Sequence, residues 1–316
     1  VRLAFVCAAA LLVGIATTRP AAAQDAHALR LNLDEGECYR FTTSNEQRIE
    51  QQVMGRTIDV TIEQAAVYRY DVTDVTDDGT ISLDVTYERM KMKQTSPGGA
   101  SSYDSADTSA APPPGMQGIG TLIGKSFQMQ LAPDGAVVSV KGMETLMNAM
   151  MEVGDAPPAA REQVRKQFGG ESVKSLMGSV FAYAGATAQV GDTWNRSFDM
   201  TRPIPMMVNT TYTLEGVEDG VATLDVASVI TSDEEAGPTI MGGGELDLTL
   251  RGTQQGTTRV DLDTGLPVHS QTEQQMSGTG ELRMQGRSIP MEMSIGGTTV
   301  TTVEPVEPVE PVEPVE

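Results

Sequence analysis

Apolar and polar side chains alternate with period two along most of this chain, and Asp-Gly turns punctuate the alternation. A period of two puts successive side chains on opposite faces of a strand. Ile58, Val60 and Ile62 share one face. Tyr70, Val72 and Val75 lead into Asp77-Asp78-Gly79, and Ile81, Leu83 and Val85 lead out of it. Glycine there accepts the positive φ of a tight hairpin. The device recurs at Pro133-Asp134-Gly135, Glu218-Asp219-Gly220 and Asp263-Thr264-Gly265. Successive hairpins build an antiparallel meander, not a parallel sheet. The expected fold is mainly β, with antiparallel curved sheets. An open barrel, a cradle and a sandwich would all show this alternation.

The motifs come round twice. Gly36-Glu37-Cys38-Tyr39 resembles Gly191-Asp192-Thr193-Trp194, the hairpin 70–87 resembles 212–228, and 126–140 resembles 257–270. The chain therefore reads as an internal duplication. A first β half covers 24–142 and a second covers 185–302. Between them, 143–184 reads as helical. Met143, Leu146, Met147, Met150 and Met151 form one apolar face, and Pro157-Pro158 opens a second helix that Gly169-Gly170 stops. A third runs over 171–183. Residues 95–120, rich in Ser, Gly, Pro and Ala, read as a long mobile loop. Residues 303–316 repeat Val-Glu-Pro, which favours an extended, disordered tail.

The N-terminus carries Arg2, an apolar or small-residue run from Leu3 to Ala16, and Ala21-Ala22-Ala23 before Gln24. That order is a secretory signal peptide over 1–23. The run is shorter than the roughly 20 residues that span a bilayer. No later segment approaches that length, so no transmembrane helix is expected in the mature chain. The expected location is periplasmic or extracellular. Net charge is −21, and residues 1–23 hold two arginines and no acid, so the mature value is −23. Such a surface disfavours nucleic acid and anionic lipid heads and confers solubility. Cys38 remains alone after cleavage, so no internal disulfide forms.

The order of motifs resembles a secreted bacterial family known as domain of unknown function 6263. The resemblance rests on Gly36-x-x-Tyr39, Tyr103-Asp104-Ser105, Leu122-Ile123-Gly124, Asp134-Gly135 followed by Val140-Lys141-Gly142, Gly191-Asp192-Thr193-Trp194 and Asp263-Thr264-Gly265. It spans roughly residues 30–302. It implies export and a β-rich fold, and supplies no catalytic residues.

Familiar chemistries find little purchase. Asp263-Thr264-Gly265 spells an aspartic protease triplet, but the matching position of the other half reads Pro133-Asp134-Gly135, and a hairpin turn accounts for both. Gly124-Lys125-Ser126 lacks the upstream glycine of a phosphate-binding loop. His27 and His269 stand apart, and no zinc spacing, serine elbow or Cys-His pair appears. Asp74, Asp77 and Asp78 lack calcium-loop spacing. No catalytic residue, metal site or cofactor is expected. Eighteen methionines remain. Met90 with Met92, and Met291 with Met293, each project to one side of a strand. They suit ordinary core filling or an adaptable apolar pocket better than a copper(I) site.

The expected function is non-catalytic binding of a lipid or other apolar or amphipathic ligand in the cell envelope. The helical segment would act as lid, and Met143, Met147, Met150, Met151, Leu176 and Met177 as the contacting side chains. The alternative is a structural or interaction module that docks an envelope protein through 95–120 or a sheet edge. A third class, a carboxylate hydrolase, requires Asp134 and Asp263 to face each other across a cleft.

Overall fold

The computed structural model describes residues 25–109, 112–113, 116, 118–153, 174, 177–200, 204–233, 237–241, 244–284 and 286–308. The chain is mainly β and antiparallel, and its sheet does not close into a barrel. Strands β2 (Cys38–Val53), β3 (Arg56–Val75), β4 (Ile81–Ser96), β5 (Gly99–Asp104), β6 (Ser126–Leu131) and β7 (Val137–Lys141) form the first half. Strands β9 (Thr193–Met200), β10 (Met206–Glu218), β11 (Val221–Ser232), β12 (Thr239–Met241), β13 (Gly244–Asp261), β14 (Pro267–Met284) and β15 (Arg287–Pro305) form the second. All thirteen belong to one sheet, ordered β7-β6-β4-β3-β2-β15-β14-β13-β11-β10-β9, with β5 on β4 and β12 on β13. A two-stranded sheet pairs β1 (His27–Leu29) with β8 (Ala186–Ala188).

Within each half, neighbours in the sheet are close neighbours in sequence. The long-range join is β2 on β15, from Val53↔Met291 to Tyr39↔Pro305. Strands β7 and β9, consecutive along the main sheet's chain path, lie at its opposite edges. Between them in sequence lie helix α1 (Met143–Val153), the helical residues 177–180 and β8.

The two halves share one backbone clasp at their Gly36 and Gly191 motifs. Gly36 N–H donates to the Val72 carbonyl (2.9 Å), and Val72 N–H donates to Glu37 (2.8 Å). Gly191 N–H donates to Leu214 (2.7 Å), and Leu214 N–H donates to Asp192 (3.0 Å). In each half the acid also caps its own turn, Glu37 accepting from Asp34 N–H (2.9 Å) and Asp192 from Gln189 N–H (2.8 Å). Backbone groups of the buried Val72 and Leu214 are thereby satisfied by the same device in both halves.

The sheet curls strongly. Strands β10 and β15 are four steps apart, about 19 Å if the sheet were flat. Met206 of β10 and Ile295 of β15 nevertheless share one apolar cluster with Met276. Four glycines on β13 and β14, at 252, 256, 278 and 280, share the face of Leu248, Leu250 and Met276. A Cβ on Gly256 would overlap the Gln271 carbonyl of the adjacent strand. Removing side chains from the concave side lets the strands close in.

Register sorts the concave face into tiers. Near one end it is apolar and aromatic, with Tyr39, Phe41, Tyr70 and Val303 in one cluster and Tyr212, Leu214, Leu224 and Val260 in another. Near the other end it is aliphatic again, with Leu246, Leu248, Leu250 and Met291. Between them runs a polar belt paired across strands: Thr43 with Thr301 (3.2 Å), Asn45 with Thr299 (2.8 Å), Gln254 with Thr272 (3.0 Å), Thr258 with Ser270 (2.9 Å) and Thr210 with Ser228 (2.8 Å). Each pair satisfies groups that would otherwise cost free energy on a half-buried face.

Two expectations need correction. Residues 95–120 are not one continuous loop. β5 lies within them, and a short 3₁₀ turn spans Ile119–Leu122. β5 lacks alternation (Gly-Ala-Ser-Ser-Tyr-Asp), so periodicity could not reveal it. The Val-Glu-Pro tail likewise begins inside the sheet. Val303 is buried, β15 ends at Pro305, and Val306 N–H donates to the Cys38 carbonyl (2.9 Å). Arg69, held by Asp71 (2.7 Å), also donates to the Glu307 carbonyl (3.2 Å). The expected signal peptide, the second helix and the end of the tail lie outside the described residues. Among the described residues, no helix is long and apolar enough to cross a membrane.

Candidate functional site

A cavity of about 320 Å³ lies on the concave face of the first half. Its floor is aromatic. Phe41 of β2 stacks on Tyr70 of β3 (ring centroids 4.1 Å, 20°), and Tyr68 leans against Tyr87 (5.1 Å). Register explains the grouping. Phe41 is opposite Tyr68, Tyr39 is opposite Tyr70, and Tyr68 is opposite Tyr87, so all project to one side. A bulge at Val67/Tyr68 changes the phase of β4 and brings Met90 and Met92 onto the same face, opposite Ala66 and Gln64.

Tyr103 of β5 forms the outer wall. Its neighbours hold it there. Arg89 grips the Asp104 carboxylate through both oxygens (3.1 and 2.7 Å), and Ser105 exchanges hydrogen bonds with the Met90 backbone (3.0 and 2.9 Å). The Tyr103-Asp104-Ser105 motif thus clasps a strand that hydrophobic patterning does not specify. Ile119 and Met177, Ser179 and Val180 cover the cavity from the helical side. The Tyr70 hydroxyl donates to the Met177 sulfur at 3.8 Å, and Phe181 anchors this cover edge-on to Phe41 (6.0 Å).

The electrostatics are quiet. Burial pushes the Tyr68, Tyr70 and Tyr87 phenols above their ordinary range, so all three are neutral at physiological pH. At the wall, the Arg89 hydrogen bond first, then the Ala106 N–H, hold the Asp104 carboxyl down at about 2. A lowered folded value stabilises the clasp above the unfolded value of about 3.9, and that contribution disappears as pH falls through about 2. In Arg89→Ala, carbonyl-detected NMR should find Asp104 titrating in the ordinary carboxylate range. A value staying near 2 would show that Arg89 is not its partner.

The expected contact residues divide. Met177 lines the cavity. Met143, Met147 and Met151 are buried in the main core cluster, and Met150 packs against it, so the α1 face plugs the sheet. Leu176 lies outside the described residues. Met90 and Met92 line the cavity, whereas Met291 and Met293 belong to the distal aliphatic cluster. Sequence patterning does not reveal the aromatic lining, because Phe41, Tyr68, Tyr70 and Tyr103 come from three strands that only pairing brings together.

Asp134 and Asp263 occupy separate turns. Asp134 accepts from its own Ala136 N–H (3.1 Å). The second turn is capped by Asp261, not Asp263: Asp261 accepts from Asp263 N–H (3.1 Å) and from Thr264 N–H (2.8 Å) and hydroxyl (2.9 Å). The Cys38 thiol donates to Asp71 (2.9 Å), and burial first, then that contact, raises its pKa, which disfavours the thiolate. Among the described residues, no group of three His, Cys, Asp or Glu side chains is placed to hold a metal ion.

Fold and site together define an antiparallel β protein whose large curled sheet borders an apolar pocket. The chain belongs to the family of unknown function DUF6263, whose model matches residues 78–267. No curated protein matches it. Among solved structures, one titled for lipid–protein interactions in lipovitellin aligns at 10% identity and a TM-score of 0.46. The alignment covers 89% of this chain and 26% of that one, so the chain spans about a quarter of its length. OccK7 (OpdD) of Pseudomonas aeruginosa aligns at 7% identity and a TM-score of 0.23, over 86% of this chain and 100% of that one.

Proposed function

We propose that the mature chain is exported to the cell envelope or beyond and binds an apolar or amphipathic ligand there without transforming it. The cavity carries this reading. It has an aromatic floor, flexible methionine walls and a cover that reaches it from a separate segment. Its volume falls at the lower end of the roughly 300–1,000 Å³ typical of small-molecule sites. Methionine and aromatic side chains adapt to apolar shapes without demanding a fixed geometry. The signal-like segment 1–23 supports export.

Ala66 offers the test. It lines the cavity between Thr43 and Met90 in register, so a large side chain there enters the empty space. Ala66→Trp should weaken binding of an environment-sensitive apolar dye at least about tenfold, with the unfolding midpoint close to that of the parent. Native mass spectrometry of protein purified from its own envelope should reveal a co-purifying small molecule that Ala66→Trp lacks. Unchanged dye binding in a folded Ala66→Trp variant would overturn the proposal.

A further inference from the structure

We infer that the cavity selects an uncharged amphiphile, one with a hydroxyl or amide head, over an anionic or cationic one; this rests on the binding reading above. The chain is rich in charge, yet among the described residues the side chains that face the cavity are apolar, aromatic, hydroxyl or amide. Lys91 borders it through its backbone. Its register partner is Ala65, and β-strand alternation puts that pair on the opposite face from Ala66–Met90 and Gln64–Met92. Lys91 also borders an outer groove with Ser44, Glu46 and Glu63.

The polar groups that do face inward gather at one end. Asn45 donates its amide N–H to Thr299 (2.8 Å), which leaves its carbonyl oxygen as an acceptor. Gln64, directly opposite Asn45, is exposed and has no side-chain hydrogen bond among the described residues. Together they offer an acceptor and a spare amide to a head that both donates and accepts. The aromatic floor of Phe41, Tyr68 and Tyr70 begins one inward position beyond Thr43 and Ala66, so an apolar body lies there with its head at the amides. A charged head drawn in to the half-buried Asn45 and Thr299 would lose part of its hydration and meet no countercharge among the described side chains that face the cavity.

Displacement of the bound apolar dye from the mature chain by three probes of one chain length decides the matter. They are dodecanol, dodecanoate and dodecyltrimethylammonium, each below its micelle concentration. At about pH 7, dodecanol should bind at least about tenfold more tightly than either ion. Gln64→Lys, on the exposed side of the mouth, should bring dodecanoate level with dodecanol or ahead of it. Equal or tighter binding of either ion to the parent protein, or dye that dodecanol does not displace, overturns the inference and leaves the binding reading standing. Absence of dye binding overturns the binding reading itself.

Discussion

Gly265→Ala is expected to destabilise the protein by on the order of 3 kcal/mol. Two causes act together. Gly265 has φ +71°, where an alanine is strained by about 1 kcal/mol. Its Cβ would also overlap the Arg30 carbonyl and lie 2.9 Å from the Leu31 Cα. The N-terminal segment must then move, and Leu29, at 0% exposure, and Leu31 move with it. That segment is pinned from both halves, by Leu31 N–H to Pro133 (2.9 Å) and Asn32 N–H to Thr264 (2.9 Å). The Tyr183 hydroxyl donates to the Gly265 carbonyl itself (2.8 Å). Denaturant unfolding should show the loss, and hydrogen exchange should place it first at residues 29–33. Parent-like stability with unchanged protection at 29–33 would show that the segment does not pack here.

Phe181→Ala should cost about 3–5 kcal/mol and weaken dye binding in the same protein. Phe181 is 1% exposed, packs on Phe41, and follows directly after the cavity cover. A truncated side chain leaves a void beneath residues 177–180, and the cover loses its anchor. Stability and affinity should therefore fall together. Phe181→Leu, which keeps most of the volume, should recover most of both. Lost stability with dye affinity retained would separate the cover from the site.

Much of the architecture was readable from local chemistry. The Asp-Gly turns appear where expected, with glycines at 79, 135, 220 and 265 all at positive φ, because turn geometry is decided within four residues. The duplicated motifs were visible for the same reason, and the clasp that each makes gives their likeness a physical basis. What depends on distant pairing was not readable. Alternation says which face a side chain takes but not which strand lies beside it. The join of β2 to β15 and the curl at the inward glycines were therefore hidden. An apolar helical stripe reads the same whether it plugs a core or lines a pocket, and in α1 the core claimed it. β5 was missed because polar clasps hold it and apolar burial does not. The floor of the site combines both problems: aromatic residues recognisable as core types line a cavity because the described cover leaves space above them.

Assembly order follows from where the two halves meet. Each half can zip up from neighbouring hairpins as it is synthesised, but β2 must wait for β15, which follows every other described strand of the sheet. Until then, sixteen residues of β2 present unpaired backbone along one side, an invitation to pair with another molecule. The closing step brings together segments separated by most of the polypeptide, so it is slow compared with the hairpins. The final strand is the keystone. Truncations that remove it should leave two half-arches prone to aggregation, even though every residue that lines the cavity from the first half would still be present.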